Sequence, residues 1–228
     1  MGAHPLAGAV VAVVGASGAL GALLARSAAA RGATVVLVGR DEQRLRSVLD
    51  GAEVVVGDLA DATLGDRLVE TARGSHGRLD GVVNAAGVVA FGPLVDTDDA
   101  VLEELFFTNV VGPLFLLRRV LPALTESKGF LVNLSAVVAE QPMAGMAAYS
   151  ASKAALTAAD RALTRELRRV GVDVLDVRPP HTETGLAGRA LAGEAPRLAE
   201  GLDPQVVADA VLDAVEAGRG ELSSSDFG

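Results

Sequence analysis

Short apolar runs rich in valine alternate with longer segments rich in alanine, leucine and arginine along nearly the whole chain. The runs are Ala9–Val14, Thr34–Val38, Glu53–Val56, Gly81–Asn84, Gly129–Leu134 and Val172–Val177. They are too short for ordinary helices, and most lack the in-out alternation of a half-exposed strand. Such runs are strands buried on both faces, which is the condition of a parallel sheet covered by helices. Helices are predicted between them near Ala19–Arg31, Asp41–Leu49, Thr63–Arg73, Asp98–Leu121 and Met146–Arg169, with a last one near Pro204–Ala217. Right-handed crossovers then make the fold α/β, a doubly wound parallel sheet with helices on both faces. No internal repeat and no linker divides residues 1–228, so one domain is expected. The Gly-, Ala- and Pro-rich stretch 185–202 reads as a mobile substrate lid, and the tail Ser223–Gly228 as frayed.

Composition narrows the function. The formal charge of −9 excludes nucleic acid and anionic membrane as principal partners. An anionic cofactor must then be held by a local basic site. There is no cysteine, hence no disulfide and no thiolate chemistry. His4, His76 and His181 are scattered, so no histidine metal centre is expected. No basic leader precedes the first apolar run, and no stretch reads as a membrane span, which predicts a cytoplasmic protein. Aromatic residues make up only 3% of the chain, so its core is built from Val, Leu and Ala.

Directly after the first strand comes Gly15-Ala16-Ser17-Gly18-Ala19-Leu20-Gly21. Glycines so spaced allow a tight turn and close approach of backbone to a pyrophosphate, and the helix that follows offers free N–H groups and the positive end of its dipole. The second strand leads into Gly39-Arg40, with Arg44 one helical turn on. An acidic residue here would hold an unphosphorylated ribose, whereas a guanidinium suits a 2′-phosphate. NADP(H) is therefore favoured over NAD(H).

The sole tyrosine, Tyr149, is followed four residues later by Lys153, one of only two lysines. The stretch Ala148–Ala155 is alanine-rich and should be helical, so the two side chains share one face. An ammonium beside a phenol favours the phenolate and is expected to lower the tyrosine pKa. The pair is suited to moving a proton on an oxygen while hydride moves at the attached carbon.

In this order the glycine turn, Asn84-Ala85-Ala86-Gly87, Asn109 and Tyr149-x-x-x-Lys153 resemble the short-chain dehydrogenase/reductase family over essentially the whole length. The resemblance implies a Rossmann fold of about seven strands and oxidoreductase chemistry on alcohols or carbonyls. It implies that Asp58, in Val56-Gly57-Asp58-Leu59, receives the adenine amine and that Asn84, Ala85, Ala86 and Gly87 line the cofactor. Tyr149 would be the general acid/base, and Lys153 would hold the nicotinamide ribose. Asn109 would hold a water on the path to solvent. It also implies pairing of the long helices in a homodimer or homotetramer.

The chain departs from the family pattern in three places. The glycine spacing, Gly-x-x-Gly-x-x-Gly, is tighter than the common one. Where the family carries its catalytic serine this chain has Ala136, with Ser135 one residue earlier as the replacement candidate. After the sixth strand the chain reads Arg178-Pro179-Pro180-His181-Thr182-Glu183-Thr184. There the resemblance implies that Pro179 and Thr184 border the cofactor, and Pro180 lacks the N–H a glycine would offer. The pocket wall is expected from Val88–Leu94, Val137–Met146 and the segment after Thr184, mostly apolar, which suits a small neutral carbonyl compound. Two functions remain open at this point. One is an NADP(H)-dependent carbonyl–alcohol oxidoreductase; the other is a nucleotide-binding protein with weak or no turnover, motivated by Ala136.

Overall fold

The computed structural model describes residues 2–227. Its centre is a seven-stranded parallel sheet in the order β3-β2-β1-β4-β5-β6-β7. The strands are β1 Val10–Val14, β2 Thr34–Gly39, β3 Glu53–Val56, β4 Gly81–Asn84, β5 Phe130–Leu134, β6 Asp173–Val177 and β7 Glu221–Leu222. The six apolar runs are all strands. The seventh is a two-residue edge strand paired to β6, too short to read from its own residues.

Side chains alternate across the sheet, as strand geometry requires. Val11 and Val13 enter one apolar layer, under α1 (Ala19–Ala30) and α7 (Pro204–Glu216). Val10, Ala12 and Val14 enter the other, under α3 (Leu64–His76) and the long helix after β4. Both faces being covered explains why the strands read as continuous apolar runs. α2 is shorter than expected, Glu42–Arg46, with Asp41 Oδ1 accepting from Arg44 N at 3.0 Å as its cap.

The long helix runs as α4 (Asp99–Phe106), a π-turn (Phe107–Val111) and α5 (Gly112–Ser127), past its expected end at Leu121. Pro113 has no N–H to offer the carbonyl of Asn109 four residues earlier, and its ring presses on that carbonyl. A π-turn there relieves both problems. By length and composition the run Asp99–Ser127 is also apolar enough to cross a membrane, an 18-residue window within it having mean hydropathy 1.6, which corrects the expectation that no stretch comes near. In this fold its Leu105, Leu116, Leu117, Val120 and Leu124 are buried.

The C-terminal segment corrects a second expectation. Ser223–Phe227 is ordered, not frayed. Asp226 Oδ2 accepts from Ser223 N at 2.8 Å, Arg219 pairs with Asp226 at 2.6 Å, and Phe227 joins the core beside β7. An apolar ring within reach of the sheet anchors a tail that polarity alone would leave in solvent. Gly228 lies outside the described residues. Segment 185–202 crosses over Val89–Phe91, fastened by Leu191 N to Val89 O at 2.8 Å and Phe91 N to Ala192 O at 2.9 Å.

The sheet order reverses direction between β1 and β4. The crevice beyond the carboxyl ends of these two strands is where a doubly wound sheet binds ligands. β1 delivers Gly15 to it and β4 delivers Ala85, whose N–H donates to Val14 O at 2.9 Å.

Candidate active site

The glycine turn is packed too tightly for side chains. A Cβ on Gly15, whose φ is +74°, would lie 2.8 Å from Ala86 N, and one on Gly21 would lie 2.3 Å from Gly15 O. α1 begins at Ala19 with no acidic residue in its first turn, leaving its N–H end open to an anion.

Two cavities flank this turn. The first, about 280 Å³, is lined by Gly15, Ser17, Gly18, Arg40, Arg44, Asp58, Leu59 and Ala85–Gly87, among others. Arg40 is highly exposed and stands 3.6 Å from Asp58, while Arg44 Nη2 donates to Ser17 O at 2.7 Å. Two guanidiniums thus edge the cavity floor at the end of β2. The second, about 250 Å³, is lined by Gly18–Gly21, Ala85–Gly87, Ala136, Tyr149, Lys153, Pro179 and Thr184, with Val89, Phe91, Val138, Met143 and Met146 forming apolar wall. A glycine cradle with an open helix end, basic on one side and apolar on the other, fits a nicotinamide dinucleotide.

Tyr149 and Lys153 lie on α6 (Ala147–Leu167) and are almost fully buried. Lys153 Nζ donates to Leu134 O at 2.9 Å. A Cβ on Gly87 would sit 3.1 Å from Lys153 Nζ and 3.3 Å from Asn109 Oδ1, so these groups and the Gly87 backbone converge on one point. The Asn109 amide is held in place: Oδ1 accepts from Val88 N at 2.9 Å, and Nδ2 donates to Val88 O at 2.9 Å and Ser152 Oγ at 3.0 Å. The π-turn just before Pro113 carries this asparagine.

Burial dominates the electrostatics. It pushes the Tyr149 phenol up to about 12 and pulls the Lys153 ammonium down to about 8. The lowered tyrosine pKa expected from the sequence is therefore reversed in this structure. Loss of water around the phenolate outweighs an ammonium that is itself buried and hydrogen-bonded to Leu134 O.

Three expected site residues have their polar side-chain groups bonded within the protein. Ser135 Oγ turns into the interface of β5 and α6, donating to Lys153 O at 2.9 Å and accepting from Thr157 Oγ1 at 3.0 Å. Its proton is engaged there, although Ser135 and Ala136 both line the second cavity, Ala136 in extended conformation. Asn84 lies beneath the crevice floor and lines neither cavity; its Nδ2 donates to Asn133 Oδ1 at 3.0 Å, and Asn133 Nδ2 donates to Asp160 Oδ1 at 2.5 Å. Asn109 is likewise behind the wall, reaching the site through Gly87 and Val88. The remaining expected cofactor residues line one cavity or the other.

Sequence reasoning missed the polar network below the site. Thr157 reaches Asp176 Oδ1 at 3.1 Å, and the buried Arg178 pairs with Asp176 at 3.2 Å, Glu140 at 3.0 Å and Glu221 at 2.6 Å. The available signal was Tyr149, Lys153, Thr157 and Asp160 at helical spacing within an alanine-rich helix, one polar face turned inward. His181 lines the second cavity, with Nε2 3.2 Å from Glu183 Oε1. Thr182, Leu186 and Arg189 were missed as individual lining residues.

A sheet switch point holding a glycine cradle, with a buried Tyr–Lys pair facing it, defines a dinucleotide-dependent oxidoreductase class. The sequence matches the short chain dehydrogenase family over residues 9–195, and the protein belongs to that family, as an NAD(P)-dependent oxidoreductase. It is 33% identical over 211 residues to an uncharacterized oxidoreductase of Staphylococcus epidermidis, covering 90% of each chain. It is 30% identical over 212 residues to one from Staphylococcus aureus strain MW2, again covering 90% of each. Among solved structures, a short-chain dehydrogenase from Streptomyces avermitilis matches with TM-score 0.85 and 30% identity, over 96% of this chain and 89% of that one. A short chain dehydrogenase from Burkholderia cenocepacia J2315, in complex with NADP, matches with TM-score 0.86 and 26% identity, over 97% and 90%.

Proposed function

We propose that the protein interconverts a carbonyl and an alcohol on a small apolar substrate, with NADP(H) as cofactor and Tyr149 as general acid/base. The observation that carries this reading is the Tyr149–Lys153 pair at an apolar cavity continuous with a glycine cradle edged by Arg40 and Arg44. Gly15, Gly18 and Gly21 would hold the cofactor's diphosphate, Arg40 its 2′-phosphate, Asp58 and Leu59 its adenine side, and Thr184 its nicotinamide side. NADPH, when bound, supplies the hydride. Tyr149 gives its proton to the substrate oxygen. The phenol, its pKa raised by burial, is protonated at neutral pH as an ordinary tyrosine also is, the form needed to reduce a carbonyl. Lys153 remains largely charged below about 8, where it stabilises the phenolate left behind. The apolar wall of Phe91, Val138, Met143 and Met146 excludes water and suits a substrate without charge. Segment 185–202 serves as the lid. Leu114 and Phe115, each more than a third exposed on α5, favour a homo-oligomer built on that helix.

The test is a panel of ketones and aldehydes with NADPH, followed by oxidation of the cofactor, with Tyr149→Phe alongside. Turnover that survives Tyr149→Phe unchanged removes the acid/base assignment. A second reading, nucleotide binding with little turnover, is favoured by the engaged proton of Ser135 beside Ala136. Tight NADPH binding with no oxidation across the panel would select it.

A further inference from the structure

We propose that Arg189 is a diphosphate clamp, the charged tip of the segment that closes over the crevice. The inference rests on the reading that a dinucleotide spans both cavities. The diphosphate is the link between its two nucleosides, so it must cross where the cavities meet. The residues common to both linings are Gly18, Ala85, Ala86, Gly87, Leu186 and Arg189. Five of these are uncharged, and only Arg189 can neutralise a phosphate.

The rest of the molecule makes that charge consequential. The chain carries a net −9, so a ligand with a diphosphate and a 2′-phosphate is repelled at long range. Arg40 and Arg44 line only the cavity beside β2, away from the other lobe. At the crossing point the glycine turn offers backbone N–H groups and no cation. Arg189 is exposed, and the one hydrogen bond made by its guanidinium among the described residues is Nη2 to Thr184 O at 3.2 Å. Its other N–H groups are available for a bidentate phosphate contact.

The backbone around it is anchored on both sides. Upstream, Glu183 N donates to Leu202 O at 3.0 Å. At the residue itself, Arg189 N donates to Leu186 O at 3.0 Å, closing the short turn Ala187–Arg189. Downstream, Leu191 N donates to Val89 O at 2.8 Å. Arg189 is therefore presented at the seam by a fastened strap, and a phosphate beneath it adds an ionic latch to the same strap.

The experiment is a binding titration of four proteins, wild type, Arg189→Gln, Arg189→Lys and Arg40→Gln, against NADPH by its fluorescence and against adenosine 2′-monophosphate by calorimetry. The second probe keeps the adenine and 2′-phosphate and has no diphosphate. Arg189→Gln should weaken NADPH about tenfold or more while leaving adenosine 2′-monophosphate within about twofold. Arg40→Gln should weaken both, and Arg189→Lys should recover part of the NADPH affinity. NADPH affinity within about twofold of wild type in Arg189→Gln overturns the clamp, as does an equal loss for both probes. If wild type binds neither NADPH nor NADH, the dinucleotide reading fails first and the clamp with it.

Discussion

The hydroxyl of Ser135 donates to the backbone carbonyl of Lys153 at 2.9 Å, while the Lys153 ammonium donates back to the carbonyl of Leu134, also at 2.9 Å. The end of β5 and one turn of α6 are thus cross-linked twice through a single lysine. In this structure Ser135 fastens β5 to α6, its hydroxyl proton directed to the Lys153 carbonyl.

The consequence is a contrast between two variants. Ser135→Ala should keep carbonyl reduction within about threefold of wild type while lowering Tm by a few degrees, the loss of one buried hydrogen bond of about 1 kcal/mol in a domain this size. Tyr149→Phe should lower the rate by about 10²–10⁴ with NADPH affinity retained. Steady-state rates and thermal melts on both variants check this. Collapse of the rate in Ser135→Ala would make the serine a direct participant.

Ala136 occupies the wall position next to it, extended and facing the cavity. A hydroxyl placed there is free of the α6 contacts that engage Ser135. Ala136→Ser should therefore raise kcat on carbonyl substrates about tenfold or more, the value of a positioned donor at a developing oxyanion. An unchanged or lower kcat would mean that the wall does not face the reacting oxygen.

On the proposed reading, cofactor choice depends on Arg40. Its guanidinium lies 3.6 Å from Asp58, and the side chain is otherwise solvated. Arg40→Gln should weaken NADPH about tenfold and alter NADH by less than about twofold, because only the former carries the phosphate it would meet. Thermal shifts with the two cofactors measure this directly. Equal losses would place the 2′-phosphate elsewhere.

The strands and the cofactor turn were legible because burial on both faces and the need for glycine leave direct marks in sequence. Val10–Val14 cannot be anything but a two-sided core strand, and Gly15 and Gly21 stand where a Cβ would collide. Long-range effects were not legible. β7 exists because β6 offers it an edge, and the tail is held because Phe227 finds the core. The direction of Ser135 depends on Thr157 and on the Lys153 carbonyl, which come from another element. The sign of the Tyr149 shift depends on how dry the site is, and adjacency to Lys153 alone pointed the other way.

That dryness has a thermodynamic signature. The Lys153 ammonium drops from its usual 10.5 to about 8 on folding, so between these values the unfolded chain holds a proton that the folded chain has released. Stability then rises as pH climbs from 8 towards 10.5. Tyr149 runs oppositely: folded, it keeps its proton to about 12, whereas the unfolded phenol loses it near 10.0, so stability falls above pH 10. The lysine contribution is on the order of 3 kcal/mol across its window. The buried Asp160 and Asp176 carboxyls are also raised by burial, and their contribution falls as pH rises through their own titrations, so the comparison must be made between variants. Lys153→Met removes the lysine slope and leaves the carboxylates. The Tm of wild type should gain several degrees on that of Lys153→Met between pH 8 and 10, with Tyr149→Phe matching wild type there and declining less above pH 10. Parallel Tm curves for wild type and Lys153→Met across that range would show that the ammonium is not held in a dry site.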